Sequence, residues 1–299
     1  MTHQTSAAGR YRSRLMLVLG ISATIFVVEL VAGLATNSLA LLADAGHVFA
    51  DVAGTGVSLL AIWLAARPPT STRSFGLYRL EIVAATANAL LLFAVSGLVL
   101  WEGIRRLNQP PDLAAGPVVA VAAFALLANT GAALLLARGR RESLTVRAAY
   151  LEILGDLLGS AAVLAAGAVI LLTRLHRADA VASIFIALLI LPRAWGLMRD
   201  SVDVLLEATP RDVNLDEVRR HILDTPGVEA VHDLHAWTIT SGMKVVSAHV
   251  VLGVDGDPGA LLDHLSDCLS ADFDVDHSTF QLETPEHVLW EGAASRTQH

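Results

Sequence analysis

Residues 38–51 read SLALLADAGHVFAD. The stretch is apolar except for Asp44, His47 and Asp51. Spacings of three and four residues place those three on one face of a helix. An aspartate at the centre of a membrane span costs about 2.5–3.5 kcal/mol on insertion scales. The surrounding segment 39–66 is otherwise apolar and exceeds the ~20 residues that a span requires. A polar face kept inside such a segment marks a site rather than a lipid contact. The pattern returns in RAAYLEILGDLLGS, residues 147–160, where Glu152 and Asp156 lie four apart.

The whole chain fits a membrane protein. Of its 299 residues 54% are hydrophobic and 17% charged, and mean hydropathy is +0.56, too apolar for an ordinary soluble protein. That composition excludes a disordered chain, and one cysteine, Cys268, excludes a disulfide scaffold. A net charge of −8 with no basic, aromatic-interleaved patch argues against nucleic acid as a partner. Six spans are read at 15–36, 39–66, 80–107, 114–137, 144–173 and 178–206. The first is too long for a cleavable signal peptide. Asn37-Ser38 makes a tight turn, and Pro192 is expected to kink the sixth span. With the N-terminus inside, twelve arginines near span ends, Arg67, Arg73, Arg79 and Arg193 among them, fall inside and four outside. That asymmetry predicts both termini in the cytoplasm, with the inner cell membrane as location.

Charge and periodicity change after residue 206. From Glu207 onward there are 17 acidic and 5 basic residues, and eight of the 11 histidines lie there. Helices are read at 215–224 and 260–269 and strands at 228–240, 244–252 and 277–283. The order α-β-β-α-β suits a small α+β domain with helices on one face of a sheet. The organisation is thus a tail at 1–14, six spans at 15–206, an α+β domain at 207–285 and a terminal segment at 286–299.

If the second and fifth spans face one another, His47, Asp51, Glu152 and Asp156 offer one imidazole and three carboxylates. Four such ligands can close tetrahedrally around a divalent cation, which also offsets the repulsion among the acids. Hydrogen-bonded polar pairs that only join helices would explain one such pair; two pairs on two spans favour a metal. Asp44 and Asn88 are read beside the site, with Glu29, Glu81 and Asn129 as further buried polar residues; helix packing is the better reading for Asn88 and Asn129. In the tail, His235 and His249 are read at matching positions of adjacent strands.

The segments SLALLADAGHVFAD, FGLYRLEI (75–82), RAAYLEILGDLLGS and SVDVLLEATP (201–210) resemble, in order and spacing, the cation diffusion facilitators. The resemblance covers about residues 14–285. It implies six membrane helices with a ferredoxin-like cytoplasmic domain, a homodimer, and export of zinc or a related divalent metal. By position it carries the transport site onto His47, Asp51, Glu152 and Asp156. The family's usual fifth-span histidine is here Glu152, a hard oxygen in place of nitrogen, which moves preference toward iron, cobalt or manganese. Zinc stays the first choice because His47 is kept. The resemblance also implies a tail metal site at His235, His249, His264 and Glu283. Gln281 stands where some relatives have a histidine, leaving His232 or His277 to supply a ligand. It further implies a charge contact between Arg79 and Glu207 near the dimer contact.

Proton-driven antiport is the expected mechanism, because the same ligands must lose protons to bind metal. No G-x-x-x-x-G-K segment points to ATP. An intramembrane metal-dependent hydrolase is the alternative from another class; it lacks HExxH or a nucleophile beside a base. A metal sensor anchored by its spans is a third reading, and an exporter selective for manganese, iron or cobalt a variant of the first.

Overall fold

The structure is a computed structural model describing residues 7–65, 67–137, 139, 144–253 and 257–287; the side chains of 7–12, 58, 59, 62, 65, 144 and 145 are not part of that description. Residues 1–6 and 288–299 of the expected terminal segments, and Arg138, Arg140 and Arg141 of the charge count, lie outside the described residues. The chain forms two compact units: Met1–Leu60 with Ala84–Met198, and Ala61–Val83 with Arg199–His299. The second unit therefore takes in the loop after the second span as well as the tail.

Six long helices come first: α1 (Ala7–Thr36), α2 (Leu39–Ala65), α3 (Leu80–Asn108), α4 (Ala115–Leu136), α5 (Leu144–Thr173) and α6 (Arg177–Leu205). Five of them contain stretches long and apolar enough to cross a membrane. The sixth, α2, has 27 residues, about 40 Å at 1.5 Å per residue, and carries the polar face. Small residues let these helices approach. Ala40 and Ala50 of α2, Ala122 of α4 and Ala187 and Ala194 of α6 are all fully buried in one core with Leu92 and Val163. The helix α6 continues through Pro192.

The start of α2 is held from α6. Asp179, in the first turn of α6, accepts from the Ser38 hydroxyl at 2.5 Å and from the Leu39 backbone N–H at 2.7 Å. A carboxylate on the free N–H groups of a helix start satisfies donors that have no intrahelical partner. Asn37, with φ 58°, turns the chain between α1 and α2, and its carbonyl accepts from Arg106 at 2.6 Å.

In the second unit, α7 (Leu215–Leu223) leads into β1 (Val228–Thr240) and β2 (Met243–Leu252), then α8 (Pro258–Phe273) and β3 (His277–Glu283). The sheet order is β1-β2-β3; β1 runs antiparallel to β2, and β2 parallel to β3. Asn214 caps α7 through Asp216 N–H, and Asp257 caps α8 through Gly259 N–H with Pro258 at the first helical position. That cap and the left-handed stop at Asp274 (φ 54°) extend α8 beyond the expected 260–269. Val218 and Ile222 of α7, Leu265 and Leu269 of α8, and Val246 and Val250 of β2 are fully buried together. The α+β class and the membrane bundle are thus both as the sequence predicts.

Candidate metal centre

Within the first unit, α2 and α5 face each other through their polar residues. His47 Nε2 lies 3.6 Å from Asp51 Oδ2 and 3.6 Å from Asp156 Oδ1. Ligand atoms of His47, Asp51 and Asp156 all fall within 4.8 Å of one another. Their side chains are 8%, 13% and 6% exposed, so water does little to screen them. The i,i+4 spacing on α2 brings His47 and Asp51 to one face, and Asp156 reaches them from α5. One imidazole and two carboxylates with nearby room suit a divalent cation of the zinc type.

Glu152 does not join that convergence. Its Oε1 accepts from Arg193 Nη2 at 2.8 Å, while Arg193 Nη1 lies 3.3 Å from Asp51 Oδ2. Arg193 therefore sits in the site, and not at the end of a span as the charge count assumes. A cavity of about 130 Å³ opens here, lined by Asp44, His47, Gly155, Gly159 and Arg193 among others.

Behind the site is a second polar layer. Asp44 is 2% exposed and accepts from the Ser160 hydroxyl at 3.4 Å; Asn129 Nδ2 donates to Ser160 Oγ at 3.4 Å. Asn129 thus serves this layer besides helix packing. Gly159 is required by the approach of α2: a Cβ there would stand 2.5 Å from Asp44 Oδ1. Glu29 of α1 is 1% exposed, lies within reach of the Asp44 carboxyl, and finds no donor for either oxygen among the described residues. Asn88 lies away from this layer, against Gly54 of α2.

In the second unit, β-strand register decides which histidines meet. His232 pairs with His249, and His235 pairs with Ser247. The expected match of His235 with His249 is therefore incorrect. The hairpin register already sets His235 against Ser247, and a one-residue irregularity where Asp233 adopts φ 47° then brings His232, in place of Asp233, opposite His249. His232 Nε2 lies 3.0 Å from Glu283 Oε2 and His249 Nδ1 2.7 Å from Glu283 Oε1. Gln281 Nε2 also donates to Glu283 at 2.7 Å. Glu283 is 3% exposed. Burial works to raise its pKa, but hydrogen bonds from Gln281 and His232 and the charge of His249 prevail and hold it below the usual glutamate range. His235 and His277 are exposed on their strands and His264 is exposed on α8; none joins the cluster of His232, His249 and Glu283.

Comparison with known proteins decides what kind of chain this is. Residues 15–206 match the family described as cation efflux transmembrane domain. Residues 210–285 match that of the cation efflux protein, cytoplasmic domain. The chain belongs to the cation efflux family. It is similar to the metal cation efflux system protein CzcD of Cupriavidus metallidurans, 40% identical over 94% of this chain and 89% of that one. The zinc transporter ZitB of Escherichia coli is 39% identical over 96% and 93%. A cadmium, cobalt and zinc/H(+)-K(+) antiporter of Bacillus velezensis is 32% identical over 96% and 93%.

In this cation efflux protein, Arg79 and Glu207 do meet: Arg79 Nη2 donates to Glu207 Oε1 at 2.7 Å, and both side chains are exposed. The Thr240 hydroxyl, at the end of β1, donates to the Glu81 carboxylate two residues beyond Arg79. Sequence offers His232 only as a substitute ligand, Glu29 only as a further buried polar residue and Arg193 only as one of the arginines near span ends. His232 carried a signal as a second histidine in HDLH, Glu29 as a lone acid in an apolar span, and Arg193 as a base sixteen residues into the sixth helix.

Proposed function

We propose that this protein is a secondary transporter that exports a divalent metal cation from the cytoplasm, zinc first, in exchange for protons. The observation that carries the reading is the convergence of His47 and Asp51 of α2 with Asp156 of α5. Metal and proton compete for the same atoms: carboxylates and imidazole bind metal only when deprotonated. Facing the more alkaline side, the site loads metal; facing the acidic side, protonation releases it. The relatives' names support the substrate class and, for one, proton exchange. The protein acts as a homodimer in the inner membrane with both termini cytoplasmic. Its tail carries a further metal site at His232, His249 and Glu283, where bound cations relieve like charge between two acidic tails.

Transport into proteoliposomes tests this, with zinc, cadmium, cobalt, manganese and iron, with and without a pH gradient. The reading expects zinc flux that rises when the compartment receiving the metal is made more acidic. Flux of no divalent metal under either condition contradicts it.

A further inference from the structure

Arg193 stands about 24 Å along α6 from Arg177, taking 1.5 Å per residue. Its guanidinium lies between carboxylates of two other helices, 3.3 Å from Asp51 on α2 and 2.8 Å from Glu152 on α5. It lines the same cavity as His47. A guanidinium stays charged at any physiological pH and its planar fork suits two acceptors at once. Asp51, Glu152 and Asp156 together carry three negative charges when ionised, one more than a divalent cation cancels. Arg193 removes that excess. It also engages Asp51, which is one of the three residues whose ligand atoms converge.

We propose that Arg193 is a tethered counter-cation of the transport site. Anchored on Glu152, it neutralises Asp51 while the site holds no metal and yields Asp51 when metal arrives. It thereby sets both the affinity of the site and its rate of release. In this arrangement Glu152 acts through Arg193, as the anchor that keeps the guanidinium at hand. The inference rests on the transport reading above.

The test is zinc binding and turnover in the full-length protein with its tail intact, the zinc bound by the tail cluster being subtracted with an Asp51→Ala, Asp156→Ala control. Zinc affinity is measured by competition with a chelating indicator, and turnover in proteoliposomes. Arg193→Gln removes the competitor, so zinc should bind about tenfold more tightly, the scale of one lost charge-assisted contact. Turnover should fall, because release slows, giving a lower KM and a lower kcat together. A residue that only holds helices together would instead raise KM. Arg193→Lys keeps the charge without the fork and should tighten binding by a smaller factor; it serves as the test if Arg193→Gln does not fold. Unchanged or weaker zinc binding in the folded variant overturns the inference while leaving the transport reading intact. If the wild-type protein itself neither binds nor moves zinc, the transport reading falls, and this inference with it.

Discussion

Arg79, just before α3, donates to Glu207, just after α6, at 2.7 Å, closing the chain between two helix ends 128 residues apart in sequence. Side-chain exposures of 43% and 58% leave the pair well screened. Exposed pairs are worth under about 1 kcal/mol. Arg79→Glu should therefore lower thermal stability only slightly, and adding Glu207→Arg should recover part of it. A double-mutant cycle on unfolding checks this; coupling above about 2 kcal/mol would mean the pair is buried in the assembled protein.

Asp156 is buried with Asp51, Glu152 and Asp44 around it, and no cation but Arg193 lies close among the described residues. Like charges at such range destabilise one another. Asp156→Asn should raise the melting temperature of the metal-free protein, by an amount matching about 1 kcal/mol or more. The same variant should lose stabilisation by zinc, which at a hundred times Kd contributes about 2.7 kcal/mol in the wild type. Thermal unfolding with and without zinc reads both effects.

The distribution of what sequence revealed follows from physics. Apolar length and period placed all six helices, and alternation placed β1 and β3 with their observed ends, because both signals are local. Register was not legible. The hairpin register sets His235 against Ser247, and a one-residue shift at the left-handed Asp233 then decides that His232 meets His249. The polar faces of α2 and α5 were legible because charges in apolar spans have few explanations. Arg193 is counted only among the arginines near span ends, because its two carboxylate partners stand on α2 and α5, far from it in sequence, and no local pattern marks them.

Glu152→His brings a nitrogen donor beside the three converging residues and removes the shorter of Arg193's two contacts. Preference should move toward zinc and cadmium and away from manganese and iron. Competition transport assays on both forms decide it. An unchanged ranking would mean that position 152 does not touch the metal in either form.

Lys244 opens β2 with its ammonium 2.6 Å from Asp212 and 3.3 Å from Asp274. The Lys244 hydrogen bond holds the Asp212 carboxyl below the usual aspartate range. A depressed carboxylate adds stability above its unfolded value, near 3.9, and loses it as pH falls through the lower folded value. Lys244→Ala should thus cost up to about 1 kcal/mol at pH 7, with Asp212 and Asp274 both exposed. The cost should shrink below about pH 4, which unfolding at several pH values would show. A difference independent of pH would place the effect of Lys244 in packing of its buried stem.

The tail, not the helices, is expected to hold two copies together. Removing 208–299 should weaken the homodimer and slow transport while leaving zinc binding at His47, Asp51 and Asp156. Light scattering in detergent reads the first. A truncated protein that stays fully dimeric would place the main contact in the membrane.

The most direct test is zinc flux into proteoliposomes carrying an entrapped zinc indicator, with wild type and Asp156→Ala reconstituted at equal density and a fixed pH gradient. The account predicts flux for the wild type and none above protein-free vesicles for the variant, with both eluting as folded protein. Flux through Asp156→Ala at the wild-type rate would contradict it.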